Sequence, residues 1–100
     1  MGKWADYCIS AVRYNNKNTH IEYVEVRKDN GETIGSSETW KRADVLNKLN
    51  TGKTFCTIIF KENKWYEGAD VIKVTIRGKE YIKTVNDGTE EDNLGKLPRF

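Results

Sequence analysis

A chain of 100 residues, 37% of them hydrophobic, is long enough for one core and too short for two. Its 17 Lys and Arg stand against 15 Asp and Glu, and a net charge of +2 excludes a dedicated polyanion binder of the histone kind while leaving room for a local basic patch. Three Trp, five Tyr and three Phe point to a folded core built around aromatics, which disordered chains lack.

The start, Met1 to Asp6, has no apolar run of signal-peptide type, and no stretch reaches the roughly 18 apolar residues of a membrane helix. The expectation is a cytoplasmic chain without a membrane anchor; Gly2 does not suggest myristoylation, because Asp6 stands where that motif requires Ser or Thr. Tyr7 to Tyr14 reads as a strand, Asn15-Asn16-Lys17-Asn18 as a turn, and Thr19 to Lys28 as the second strand of a hairpin. Asp29 to Glu32 is a further turn, followed by a short strand or extended connection over Thr33 to Ser37. From Trp40 to Asn50 the period changes: Val45, Leu46 and Leu49 share one helical face, with Lys41, Asp44, Asn47 and Lys48 on the other. Ser37 or Thr39 is the expected cap, and Asn50-Thr51-Gly52 the stop.

Thr54 to Phe60 is an apolar run of strand length, closed by the polar turn Lys61-Glu62-Asn63-Lys64. Asp70 to Arg77 and Glu80 to Val85 form a second hairpin, for which Gly78-Lys79 suggests a type II′ turn. That turn opposes residues 76 and 81, 74 and 83, and 72 and 85. One face then holds Ile72, Val74, Ile76, Tyr81 and Val85, with Lys83 intruding on a buried stem and its ammonium in water; the other holds Lys73, Thr75, Arg77, Glu80, Ile82 and Thr84, with Arg77 opposite Glu80 as an ion pair. Asn86 to Phe100 reads as an extended tail.

In the first hairpin, a four-residue loop pairs Tyr14 with Thr19 and places Tyr7, Ile9, Ala11, Val24 and Val26 on one side. Val12, Tyr14, Ile21 and Tyr23 fall on the other, so both sides are apolar and two covers are needed. The helix is one; the tail, a second copy of the chain or a ligand is the other.

Chemical motifs are few. Gly52-Lys53-Thr54 imitates the end of a P-loop but lacks the earlier Gly and runs from helix to strand. His20 is the only histidine, at a hairpin end, and Ser10, Ser36 and Ser37 have no nucleophile context. Cys8 and Cys56 have no redox or zinc spacing and read as two buried thiols, although the sequence does not say whether they are neighbours. The acids Asp87, Glu90, Glu91 and Asp92 do not match a calcium loop. Trp65-Tyr66 beside Lys61 and Lys64 offers an aromatic platform next to positive charge, as used for stacking bases or nucleotides; packing of Trp65 over the core edge is the plainer reading. Trp40 is expected on the sheet, with Lys41 and Arg42 at its rim.

Asp6-Tyr7, Ala11-Val12-Arg13-Tyr14, Glu38-Thr39-Trp40-Lys41-Arg42, Gly52-Lys53-Thr54-Phe55, Lys83-Thr84 and the ending Asp92-Asn93-Leu94-Gly95-Lys96-Leu97-Pro98-Arg99-Phe100 together resemble a small family of unknown function found in bacteria, mobile elements and phages. The Asn-Leu-Gly-x-Leu-Pro ending is the most specific part. Lys41 departs from the Ser or Thr expected there, which weakens the helix cap. The resemblance implies a single domain over residues 1–100 with a tail at 86–100, and transfers no activity.

The expected architecture is α+β: an antiparallel sheet of about five strands, in two hairpins, with one helix packed on it. The expected function is non-enzymatic binding by a self-associating protein without a cofactor or metal, in the manner of a phage-type inhibitor that sequesters an anionic, nucleotide-like ligand or blocks a host-defence protein. Arg13, Lys73, Arg77 and Lys83 would contact the anion and Trp65 or Tyr66 would stack on it; Val12, Tyr14, Ile21 and Tyr23 would form the interface. A nucleic-acid-binding module is the alternative, and a hydrolase using Asp87, Glu90 or Asp92 a weaker one.

Overall fold

Two strands and the tail meet at the strand Tyr7–Tyr14 (β1), whose neighbours change along its length. The computed structural model describes residues 4–17, 20–84, 92, 94 and 97–100. After β1 come β2 (Ile21–Asp29), β3 (Ile34–Lys41), α1 (Arg42–Asn50), β4 (Phe55–Lys61), β5 (Lys64–Ile76) and β6 (Lys79–Lys83). They form one six-stranded sheet in the order β3-β2-β1-β4-β5-β6. The α+β class agrees with expectation, but the sheet is mixed and has six strands, not five antiparallel ones. The reason is the helix. Because α1 carries the chain from β3 across to β4, β4 arrives parallel to β1, pairing Tyr7, Cys8 and Ile9 with Phe55, Cys56 and Thr57.

Two further elements start elsewhere than expected. The helix begins at Arg42, since β3 continues through Trp40 and Lys41 on the ladder of β2; Lys41 is the N-cap, and Asp44 accepts its backbone N–H at 3.2 Å. The strand expected from Asp70 begins at Lys64 instead: Glu62 and Asn63 both take left-handed φ, 52° and 62°, a tight turn that sends β5 straight back along β4.

Beyond Ile9 the strand β1 loses β4, and the tail takes its place. Val12 N–H donates to the Pro98 carbonyl at 2.9 Å, and Phe100 N–H donates to the Val12 carbonyl at 3.1 Å, so both backbone groups of Val12 are paired on that edge. Leu94 and Leu97 are buried in the main core with Ile9, Val12, Ile21, Val24, Val26, Val45, Leu46, Phe55, Val71 and Ile82. Tyr7, Trp40 and Phe55 form an aromatic cluster on the same side, with ring centroids 4.9 to 6.0 Å apart. A second, smaller core of Ala5, Cys8, Cys56 and Ile58 lies on the opposite face, under Trp4, Ile34 and Trp65. Cys8 and Cys56 are free, fully buried, and 3.8 Å apart at sulfur. The hydrogen bond to Cys56 and the loss of water both push the Cys8 thiol well above its ordinary value, so it is packed as a neutral thiol.

Pairing in the first hairpin overturns the expected grouping of Val12, Tyr14, Ile21 and Tyr23. Tyr14 pairs with Ile21, and two bulges intervene: one at Ser10, where two residues of β1 oppose Glu25, and one at Glu22. The first bulge turns Val12 to the side of Ile9, and the second turns Ile21 to the side of Val24. Val12, Ile21 and Tyr14 therefore belong to the core or pack on it, whereas Tyr23 points from the other face, and no four-residue patch for self-association results. Thr19, the expected partner of Tyr14, lies outside the described residues.

The β5–β6 turn is displaced by one residue. Arg77 and Gly78, at φ 52° and 79°, form the turn, so Ile76 pairs with Lys79 and Ile72 with Lys83. The faces keep their membership, but Glu80 now meets Lys73 at 2.9 Å in place of Arg77. Lys83 is 1% exposed, so its ammonium does not extend into water as expected. Ile82, expected on the solvent side, is fully buried in the main core. Val85 lies outside the described residues.

Candidate functional site

Asp92 anchors the region where β2, β6 and α1 begin. Its carboxylate accepts the backbone N–H of Ile21 and of Ile82, both at 2.8 Å, and Arg42 Nε at 2.7 Å, while Arg42 also donates to the Glu80 carbonyl. The acid read as a hydrolase candidate is thus consumed by the fold; Asp87 and Glu90 lie outside the described residues. Among the described residues no group of three or more His, Cys, Asp or Glu could hold a metal ion, and no helix is long and apolar enough to cross a membrane.

The six residues expected to bind an anion do not converge. Lys73 is held at the end of α1 by Glu80 and by Asn50 Oδ1, 2.5 Å away. Arg77 sits in the β5–β6 turn and Lys83 is buried. Trp65 and Tyr66, adjacent on a strand, point to opposite sides of the β4–β5 hairpin: Tyr66 lies outside beneath Lys61, 4.9 Å from its ring, and Trp65 lies inside.

What the fold does bring together is a row across three strands on the face opposite the helix. Arg13 pairs with Tyr23 in β2, and Tyr23 with Lys41 in β3, so the three side chains leave one side of the sheet. The next rungs of β2 on that side carry Glu25 and Arg27. The β4–β5 hairpin curls over this face and lays Trp65 under the Arg27 guanidinium at 5.0 Å, with Phe60 edge-on to Trp65 at 4.9 Å. At the other end the Phe100 ring lies 5.3 Å from the Arg13 guanidinium, and Arg13 Nε donates to the Phe100 carbonyl at 2.8 Å.

Three large aromatics here remain in water: Tyr23 is 36% exposed, Phe100 41% and Phe60 56%. They alternate with the cations Arg13, Lys41 and Arg27. The acid in their midst, Glu25, is already engaged by Ser10 Oγ at 2.5 Å and by Arg27 at 3.8 Å; Glu67, opposite Ile58, and Asp70, opposite Cys56, lie further along this side, and Asp29 is buried beneath Trp4. Arg27 donates from Nη1 to the Gly35 carbonyl at 3.0 Å, while its Nε is buried without a partner among the described residues.

Sequence reading found Arg13 and Trp65 but missed Arg27, Lys41, Phe60 and Phe100 as members of one surface. The alternation Tyr23-Glu25-Arg27 was visible; the Ser10 bulge and the tail pairing that join it to Arg13 and Phe100 were not. No curated protein and no solved structure gives a significant match to the chain. A family described as protein of unknown function DUF3892 matches residues 8–98, nearly the whole of the sheet, helix and tail, and the chain belongs to that family.

Proposed function

We propose that this chain is a non-enzymatic binding protein whose ligand is single-stranded nucleic acid, held on the sheet face that carries Arg13, Tyr23, Lys41, Phe60 and Phe100. The observation that carries the reading is the interleaving of exposed aromatic rings with cations on one side of the sheet. Bases have π faces that stack on Tyr and Phe at about 1–3 kcal/mol each, and phosphates pair with Arg and Lys, so such a surface accepts a strand without needing a closed pocket. Duplex DNA, whose bases are already stacked, gains only the phosphate contacts.

Arg13, Lys73, Arg77 and Lys83 are too dispersed to enclose a small anion, which argues against sequestration of a free nucleotide-like ligand and favours an extended one. The testing experiment is fluorescence anisotropy with a labelled single strand and its duplex at several salt concentrations. Tighter binding of the single strand is expected, with an affinity that falls as salt rises. Replacing Tyr23 or Phe60 by Ala is expected to weaken it about tenfold each. Equal or absent binding of the two forms contradicts the proposal.

A further inference from the structure

Where the sheet face ends at Trp65, a cleft of about 380 Å³ opens between the β2–β3 turn and the β4–β5 turn, lined among others by Trp4, Glu32, Ile34, Asn63, Lys64 and Trp65. Its walls are braced from behind. Asp29, 2% exposed, accepts Trp4 N–H at 2.7 Å, Ala5 N–H at 3.4 Å and Gly31 N–H at 2.8 Å, so one buried carboxylate fixes both the backbone of Trp4 and the turn that carries Glu32. On the other wall Trp65 is held by Arg27 and Phe60. Both turns have left-handed residues, Gly31 at φ 90° and Glu62 and Asn63 at 52° and 62°, which makes the rims tight and preformed.

We propose that this cleft is a base pocket: it takes one nucleobase of the bound strand between Trp4 and Trp65 and selects bases with an exocyclic amino group. The inference rests on the function proposed above, since Trp65 is shared by the cleft and the sheet face. Two indole walls and an Ile suit a flat heterocycle, and the volume accommodates a base with part of its sugar. The polar groups at the rim set the choice. Glu32 only accepts, Asn63 both accepts and donates, and the oxygens of Asp29 are already taken by backbone donors. A carboxylate at the edge of a stacked base favours cytosine, whose amino group donates to it, over thymine, which has a carbonyl oxygen at that position. Lys64 at the rim pairs with the flanking phosphate.

The test compares binding of dC and dT homo-oligomers of roughly 12 nucleotides, long enough to span the face and the cleft, to the wild-type chain and to Glu32→Ala. Two pyrimidines keep ring size constant, and Glu32 is an exposed turn residue whose loss spares the core. The wild type is expected to bind dC about tenfold tighter than dT, and Glu32→Ala to bind the two with equal affinity. Equal affinity of the wild type for the two, or a dC preference that survives in Glu32→Ala, overturns the base pocket and leaves the sheet-face reading standing. Binding of neither oligomer overturns both.

Discussion

Replacing Asp92 by Ala probes the knot that joins β2, β6 and α1. The Asp92 side chain is fully buried, whereas that of Arg42 keeps 26% of its surface in water. Removal of the carboxylate leaves the N–H groups of Ile21 and Ile82 without their acceptor, and both residues are at most 1% exposed, so each orphaned donor costs about 1–1.5 kcal/mol. Arg42 retains the Glu80 carbonyl and its access to water, so the broken ion pair contributes only about 1 kcal/mol, well below the cost for a pair buried on both sides. The sum is about 3–4 kcal/mol, a large part of the roughly 5–15 kcal/mol expected for a chain of this length. In urea unfolding followed by tryptophan fluorescence, with a slope of about 1–2 kcal/mol per M, the midpoint falls by roughly 1.5–4 M. Asp92→Asn keeps one oxygen acceptor and loses about half as much. A midpoint for Asp92→Ala within about 0.3 M of wild type, at unchanged slope, refutes the bonding described for Asp92.

Gly68→Ala is expected to destabilise by about 1–3 kcal/mol, because a Cβ there overlaps Thr57 Oγ1 and stands 3.0 Å from the Thr57 carbonyl oxygen; a thermal midpoint at or above wild type contradicts this. Thr57 cannot rotate freely away, since its hydroxyl accepts Ala69 N–H at 3.0 Å. The Lys73 hydrogen bond holds the Glu80 carboxyl below its ordinary 4.5, so the ionised form is favoured in the folded state. Its stabilising contribution is complete above pH 4.5 and disappears as the pH falls through the lowered value. The stability difference between wild type and Glu80→Gln is therefore flat above pH 4.5 and shrinks only below it; a difference that changes instead between pH 6 and 8 rules out this carboxylate as the source.

The parts of the fold that were legible in the sequence rest on local periodicity. Val45, Leu46 and Leu49 at helical spacing gave α1, and the alternation around Val74 and Tyr81 gave which residues of the last hairpin share a side, though not that Ile82 and Lys83 are both buried. What was not legible depends on relations between distant segments. A bulge at Ser10 has no composition signal, yet it alone decides whether Val12 shares a side with Ile9. The parallel β1–β4 pairing depends on where the helix delivers the chain, and Thr54 to Phe60 reads as one apolar run of strand length although β4 departs from β1 after Thr57 and leaves Phe60 in water. The candidate site suffered most, because Arg13, Tyr23, Lys41, Trp65 and Phe100 come from five separate segments.

The most direct test of the binding surface is the salt dependence of single-strand affinity for the wild type beside an Arg13→Ala, Lys41→Ala double variant. If both side chains meet phosphates, log affinity falls linearly with log salt in the wild type, and the double variant binds more weakly with a slope smaller by about 1.4. An identical slope in the two proteins, or wild-type affinity that does not change with salt, contradicts the assignment of this face to a nucleic-acid strand.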